Sequence, residues 1–133
     1  MQGTISRDEF IRRAVGLPWA RWRSDWSAAD CFGLIVLWHR EVLGVDLGAV
    51  PRTDIAEGFA AATGWIACDA EEGATCFMAW RGSAPTHCGV LLPHRRVLHS
   101  DGAEDRPGSV RVSPLSAMQR VYGDIRFYRH APC

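Results

Sequence analysis

The spacing of apolar residues changes character near residue 65. Before that point they recur at helical intervals, and after it they alternate or gather in short runs. Ser6, Arg7, Asp8 and Glu9 form a capping box, with Ser6 as N-cap and Glu9 reaching back. Phe10, Ile11, Ala14 and Val15 then supply one apolar face. Gly16 ends this first helix and Pro18 blocks its resumption. Residues 19–29 read as a loop rich in Trp, Arg and Ser. A second helix starts near Cys31, runs to about Leu43 and stops at Gly44. Its apolar face is Leu34, Ile35, Leu37, Trp38 and Val42, with Arg40 and Glu41 toward solvent. After a connector, Thr53 or Asp54 caps a third, weaker helix through Ile55, Phe59 and Ala62, ended by Gly64. Gly58 lies inside it and weakens it.

The second half reads as strands at 65–68, 75–80, 88–92, 96–100, 109–112 and 125–129. Pro93, His94 and Arg95 make a tight connection, so the third and fourth strands pair as an antiparallel hairpin. Ser113 and Pro114 open a short helical turn through Met118, with Pro at its first position. Helices first and an antiparallel sheet of about five or six strands after define an α+β fold. No repeat or linker interrupts the sequence, and residues 1–133 are expected to form a single domain.

Composition narrows the function. With 47% hydrophobic and 23% charged residues the chain is globular in character. Fifteen basic residues, all arginine, balance fifteen acidic ones, so nothing draws it strongly to nucleic acid or to an anionic membrane. No apolar run has transmembrane length, and the acidic start lacks a signal-peptide core, so the chain is expected to be made in the cytoplasm without a leader or membrane insertion. The five cysteines, at 31, 68, 76, 88 and 133, have no disulfide-framework spacing and are expected to be free thiols.

Cys31 carries the chemistry. It stands where a loop gives way to a helix, and free N–H groups at a helix start favour thiolate over thiol. In the predicted hairpin, His87 starts one strand and falls opposite a residue near Ser100, with His99 its immediate neighbour. Opposed Cβ atoms on one sheet face lie ~4.5–5.5 Å apart, so the imidazoles are within reach as a base and its orienting partner. His39 lies two helical turns beyond Cys31, about 12 Å along the axis, and cannot serve as its base. His94 is expected in a solvated turn and His130 at the surface. Asp30 supports the helix start or contacts an arginine. Trp19, Trp22 and Trp26 either line a groove or form a satellite of the core. Zinc is the chemical rival, but neither a paired C-x-x-C nor a His-Glu-x-x-His spacing is present, and neither metal nor cofactor is expected.

Three separated blocks resemble one family. Asp30-Cys31-Phe32-Gly33-Leu34-Ile35 is similar to the Asp-Cys-Ser-Gly-Leu-Val nucleophile block of the NlpC family of papain-like cell-wall cysteine peptidases. His87-Cys88-Gly89-Val90-Leu91 resembles its His-Val-Gly-Ile-Tyr strand, and Arg96-Val97-Leu98-His99-Ser100 its next strand, Val-Ile-His-Ala. Gly16-Leu17-Pro18-Trp19 resembles the Gly-x-Pro-Tyr segment before the nucleophile, and the likeness runs from about Gly16 to Asp101. It implies a papain-like NlpC fold, with Cys31 as nucleophile, His87 as general base and His99 orienting His87. Trp19, Asp30 and Phe32 would face the substrate, Trp19 standing where the family has a tyrosine and Phe32 where it has a small serine. The substrate implied is the peptidoglycan stem peptide, cut between γ-D-glutamate and meso-diaminopimelate. Length and bareness resemble the phage-tail branch, found in tail tips and gene transfer agents. This implies other tail-tip or hub proteins as partners and action in the host periplasm. Two alternatives stay open: a catalytically silent hub or adaptor subunit of the same fold, and an acyl- or amidotransferase using the same thioester chemistry.

Overall fold

In a computed structural model of the chain, residues 4–47, 65–70 and 73–130 are described. The expected third helix lies outside the described residues. Helix α1 (Arg7–Ala14) starts as its sequence requires, the Ser6 side chain accepting from the Glu9 N–H at 3.1 Å. The Glu9 carboxylate turns to Arg12 rather than back to Ser6. Val15 leaves helical geometry at ψ 125° and is exposed, so the apolar face ends at Ala14.

The segment read as a loop contains a small hairpin, β1 (Ser24–Asp25) with β2 (Ala28–Ala29). Asp25 makes it: its Oδ1 accepts from the N–H groups of Ser27, at 2.7 Å, and Ala28, at 3.2 Å. Helix α2 (Cys31–Trp38) follows, and Gly33 to Trp38 are all buried. The helix is apolar all round because it has the sheet on one side and, on the other, α1 and the hairpin. Phe10 of α1 meets Trp38 edge-on at 5.1 Å. Gly33 admits the β1 chain: a Cβ there would lie 1.9 Å from the Arg23 carbonyl oxygen. At His39 the imidazole bonds the Ile35 carbonyl through Nδ1 at 2.8 Å, and the helix widens into a π-turn over His39–Leu43. It ends at Gly44, φ 70°.

Among the described residues six strands form one antiparallel sheet: β3 (Trp65–Cys68), β4 (Cys76–Arg81), β5 (Ala84–Leu92), β6 (Arg96–Ala103), β7 (Arg106–Pro114) and β8 (Asp124–His130). The spatial order is β3-β8-β4-β5-β6-β7. Alternation sends Cys76, Met78, Cys88, Val90, Leu98 and Val110 to the α2 face. Phe77 and Val97 go to the other face, under helix α3 (Leu115–Tyr122). Pro114 is the N-cap of α3 rather than its first helical residue.

The β5–β6 ladder pairs Val90 with Leu98, Leu91 with Val97 and Leu92 with Arg96. Gly89 therefore comes across from His99, and His87 lies diagonal to it rather than directly beside it. A Cβ at Gly89 would stand 2.7 Å from the Leu98 carbonyl, 2.8 Å from the Phe77 ring and 3.0 Å from His99 Cβ. Gly89→Ala is expected to cost about 1–3 kcal/mol, as overpacking does. The denaturant midpoint should fall with an unchanged slope; a midpoint equal to that of the unaltered protein would show that the strands separate freely.

Candidate active site

Asp30 begins the site. It is the N-cap of α2, and its Oδ1 accepts from the Gly33 N–H at 2.7 Å. Its Oδ2 accepts from the Trp22 N–H at 2.6 Å, so one buried carboxylate ties the preceding loop to the helix start. Cys31 is then the first helical residue, half-buried, with its backbone N–H at the positive end of the helix.

The Cys31 thiol is held well below the ordinary cysteine range. Hydrogen bonding with the Cys88 thiol is the largest cause; burial opposes it, and His87 and the Phe32 N–H add to it. Cys88 moves the opposite way, raised by burial first and then by Cys31. The arrangement therefore favours a Cys31 thiolate accepting from a protonated Cys88. Alternation does separate the side chains of Cys88 and His87. Cys88 points into the core under α2, however, and so meets the thiol that His87 approaches from its own side. Among the described residues Cys31, Cys76 and Cys88 are free thiols.

His87 and His99 are buried, and Nε2 of His87 lies 2.9 Å from Nδ1 of His99. Nε2 of His99 lies 2.9 Å from Ser113 Oγ. His99 is lowered to about 4, by burial and then by the neighbouring His87, and so is neutral near pH 7. A neutral His99 donating from Nε2 to Ser113 presents Nδ1 as an acceptor for the His87 Nε2–H. That tautomer leaves His87 Nδ1 for the Cys31 proton and needs no change elsewhere when His87 becomes charged. The other tautomer would set two N–H groups against each other in the charged state.

The site opens into a cleft of about 480 Å³ lined by Trp19, Trp22, Asp30, Cys31 and His87, among others. Trp19 packs over Gly102, where a Cβ would stand 2.6 Å from its own Cβ. Trp26 belongs to the core instead, 5.2 Å from Phe10. Phe32, expected to face the substrate, does not line this cleft. It packs edge-on against Trp65, ring centroids 6.4 Å apart, because the next residue on a helix lies about 100° round the axis. His39 is a core residue, its second nitrogen 3.2 Å from Thr75 Oγ1. Sequence reasoning missed four groups: Ser113, the end of the imidazole chain; Ser100, whose Oγ donates to the Ala29 carbonyl at 2.6 Å; and Tyr122 with Asp101, which meet beside His87. Only Ser113 had a signal, because it stands before the proline that opens α3.

Two predictions follow the charges. Cys88→Val fills the same space without an S–H donor, and the Cys31 titration, followed by ultraviolet thiolate absorbance, should move upward. An unmoved titration would show that the thiol contact contributes nothing. Asp30 is raised to about 6, by burial first and then by Cys31, against its two backbone donors. The folded value exceeds the unfolded one, about 4. Asp30 therefore favours folding fully below pH about 4, and this contribution is lost as pH rises through about 6. Asp30→Asn keeps the capping oxygen without the charge. Its stability should vary less than that of the unaltered protein over this range, and Cys31 should titrate lower still. Equal pH slopes for the two proteins would refute the assignment.

No family model and no curated protein matches the chain. Solved structures do match it. One, the NlpC/p60 domain of peptidoglycan hydrolase SagA, is 20% identical, with a TM-score of 0.57 over 90% of this chain and 93% of that one. The chain has the fold of that domain: N-terminal helices packed on a six-stranded antiparallel sheet.

Proposed function

We propose that this protein is a cysteine endopeptidase that cleaves peptidoglycan stem peptides, between γ-D-glutamate and diaminopimelate. One observation carries the reading: a depressed thiol at a helix N-terminus shares a cleft with a histidine whose far nitrogen is held by a neutral second histidine. The Cys31 thiolate attacks the scissile carbonyl, and the oxyanion meets the Cys31 backbone N–H. Protonated His87 gives its proton to the leaving amine, which departs to leave a thioester on Cys31. His87 then takes a proton from water; the hydroxide attacks the thioester, and the new carboxylate leaves as the thiol is restored. His99 and Ser113 keep His87 in the tautomer that both steps need.

The cleft offers a stem peptide charged groups of both signs, with Asp30 and Glu104 in its lining. Arg21 and Arg106 line it, each paired loosely at the surface, with Glu104 at 3.3 Å and Asp101 at 3.5 Å. Stem peptides carry several carboxylates, and Trp19 and Trp22 offer apolar walls between the charges. Among the described residues no helix is long and apolar enough to cross a membrane. The tail-tip setting, with hub proteins as partners and the host periplasm as the place of action, is part of this proposal. It follows from the resemblance to the phage-tail branch, not from the sequence blocks, which speak for the NlpC family as a whole.

Digestion of diaminopimelate-type peptidoglycan tests the activity. Unaltered protein should release stem fragments whose masses identify the bond, and Cys31→Ala should release none while remaining folded. His99→Ala should retain a small fraction of the rate, a loss of about 100-fold or more, as general-base catalysis weakens. Absence of fragments from folded protein, alone and within a purified particle, would favour the silent hub of the same fold.

A further inference from the structure

The mechanism above holds His87 only along the edge of its ring, through Nε2. A ring held at one edge can still tilt about that bond, and tilt decides whether Nδ1 meets the thiol. The face of His87 is occupied as well. The Tyr122 ring lies over it, centroids 4.1 Å apart and planes 22° from parallel. The Tyr122 hydroxyl donates to Asp101 Oδ1 at 3.0 Å. Its carbonyl accepts from Thr86 Oγ1 at 2.7 Å, and Thr86 directly precedes His87 in β5. Tyr122 is thus moored at both ends, once to the strand that bears His87 and once to the strand that bears His99. Phe77 approaches His87 edge-on at 6.2 Å.

From this geometry we propose that Tyr122, moored by Asp101, is a positioning residue that fixes the tilt of His87 toward Cys31. The proposal rests on the reading of Cys31 and His87 as a working pair. A tyrosine face also attracts a cation, so the stack favours the imidazolium that forms when the thiol gives up its proton. The charged and titratable groups around the Cys31–His87 pair are Asp30 and Cys31 at the start of α2, Cys88 from β5, His99 and Asp101 from β6, Arg106 and Arg111 from β7 and Tyr122 itself from α3. Asp30 is unaltered in every variant below, so its titration is common to all the profiles. Asp101 holds a net lowered value despite its burial, because Tyr122 donates to it and Arg106 lies beside it. It therefore remains an anion over the pH range in which a cysteine–histidine pair works. Tyr122 is pushed up to about 12, by burial and then by Asp101, so its hydroxyl remains a donor.

The test reads the pair without substrate. Alkylation of Cys31 by chloroacetamide is followed against pH in the full chain, with mass spectrometry to confirm the modified residue and circular dichroism to confirm folding. Tyr122→Leu removes the stack and should slow alkylation near pH 6 about tenfold, the scale of one lost cation–π contact. The rate should recover at high pH, where the thiolate needs no imidazolium. Tyr122→Phe keeps the ring and loses the mooring; its rate should lie between the two, as should that of Asp101→Asn. This graded order is not expected of a residue that merely fills space. A Tyr122→Leu profile that superimposes on the unaltered one overturns the proposal. If the graded order appears while peptidoglycan stays intact in every variant, the positioning role stands and the endopeptidase reading fails. If Tyr122→Leu is unfolded, the order of Tyr122→Phe and Asp101→Asn against the unaltered protein decides: slower alkylation near pH 6 supports the proposal and equal rates overturn it.

Discussion

One carboxylate in a half-closed place constrains the rest of the site. Asp30 must accept from Gly33 to begin α2 and from Trp22 to hold the loop against it. Both bonds favour its charge, yet burial and the adjacent thiol oppose that charge. The conflict places the thiol: the carboxylate fixes the helix start, and the helix start offers Cys31 its N–H groups. The charge of Asp30 works against the thiolate it positions, and the Cys88 thiol, His87 and the Phe32 N–H outweigh that repulsion. Removing the cap would loosen the helix start and the loop together.

The histidine side of the site is built by a different means, the spacing of sheet positions. Gly89 lets the β5 and β6 chains come close enough for His87 to reach His99 diagonally, and Ser113 on β7 finishes the chain of bonds. The burial that lowers His99 keeps it neutral and therefore able to accept. An aspartate in its place would orient His87 as well, but it would add a negative charge near a thiolate. A neutral imidazole orients without that charge. Cys31 and His87 can therefore exchange one proton with little change in their surroundings.

What was legible in the sequence was what local rules govern. A Ser6 cap, the change from loop to helix at Cys31 and a tight turn at His94 and Arg95 place helix starts and strand pairing within a few residues. His94 and Arg95 both take left-handed φ, 64° and 56°, without a glycine to advertise it. The junction before Cys31 and the hairpin that joins the two histidines were readable for this reason. Phe32 packs on Trp65 outside the cleft, because a helix turns it away from Cys31 and no pattern of spacing shows which side Trp65 takes. The environment of Cys88 was hidden: alternation separates its side chain from that of His87, but does not tell that the Cys31 helix occupies its side. Tyr122 and Asp101 were invisible because their meeting depends on how α3 returns across the sheet, which no local pattern encodes. The β1–β2 hairpin was missed because its strands are too short to show a period.

The bond from Ser100 to the Ala29 carbonyl joins residues 71 positions apart. It stands next to His99 at one end and Asp30 at the other, so the two halves of the site close on each other through a contact of long range. A chain emerging from the ribosome exposes Cys31 long before either histidine exists. Without them, the thiol lacks the imidazole that approaches it in the folded structure. Contacts of such long range also form late and slowly, after the loop-closure entropy has been overcome. The meeting of Cys31 with His87 and His99 in this topology is therefore a property of the finished sheet.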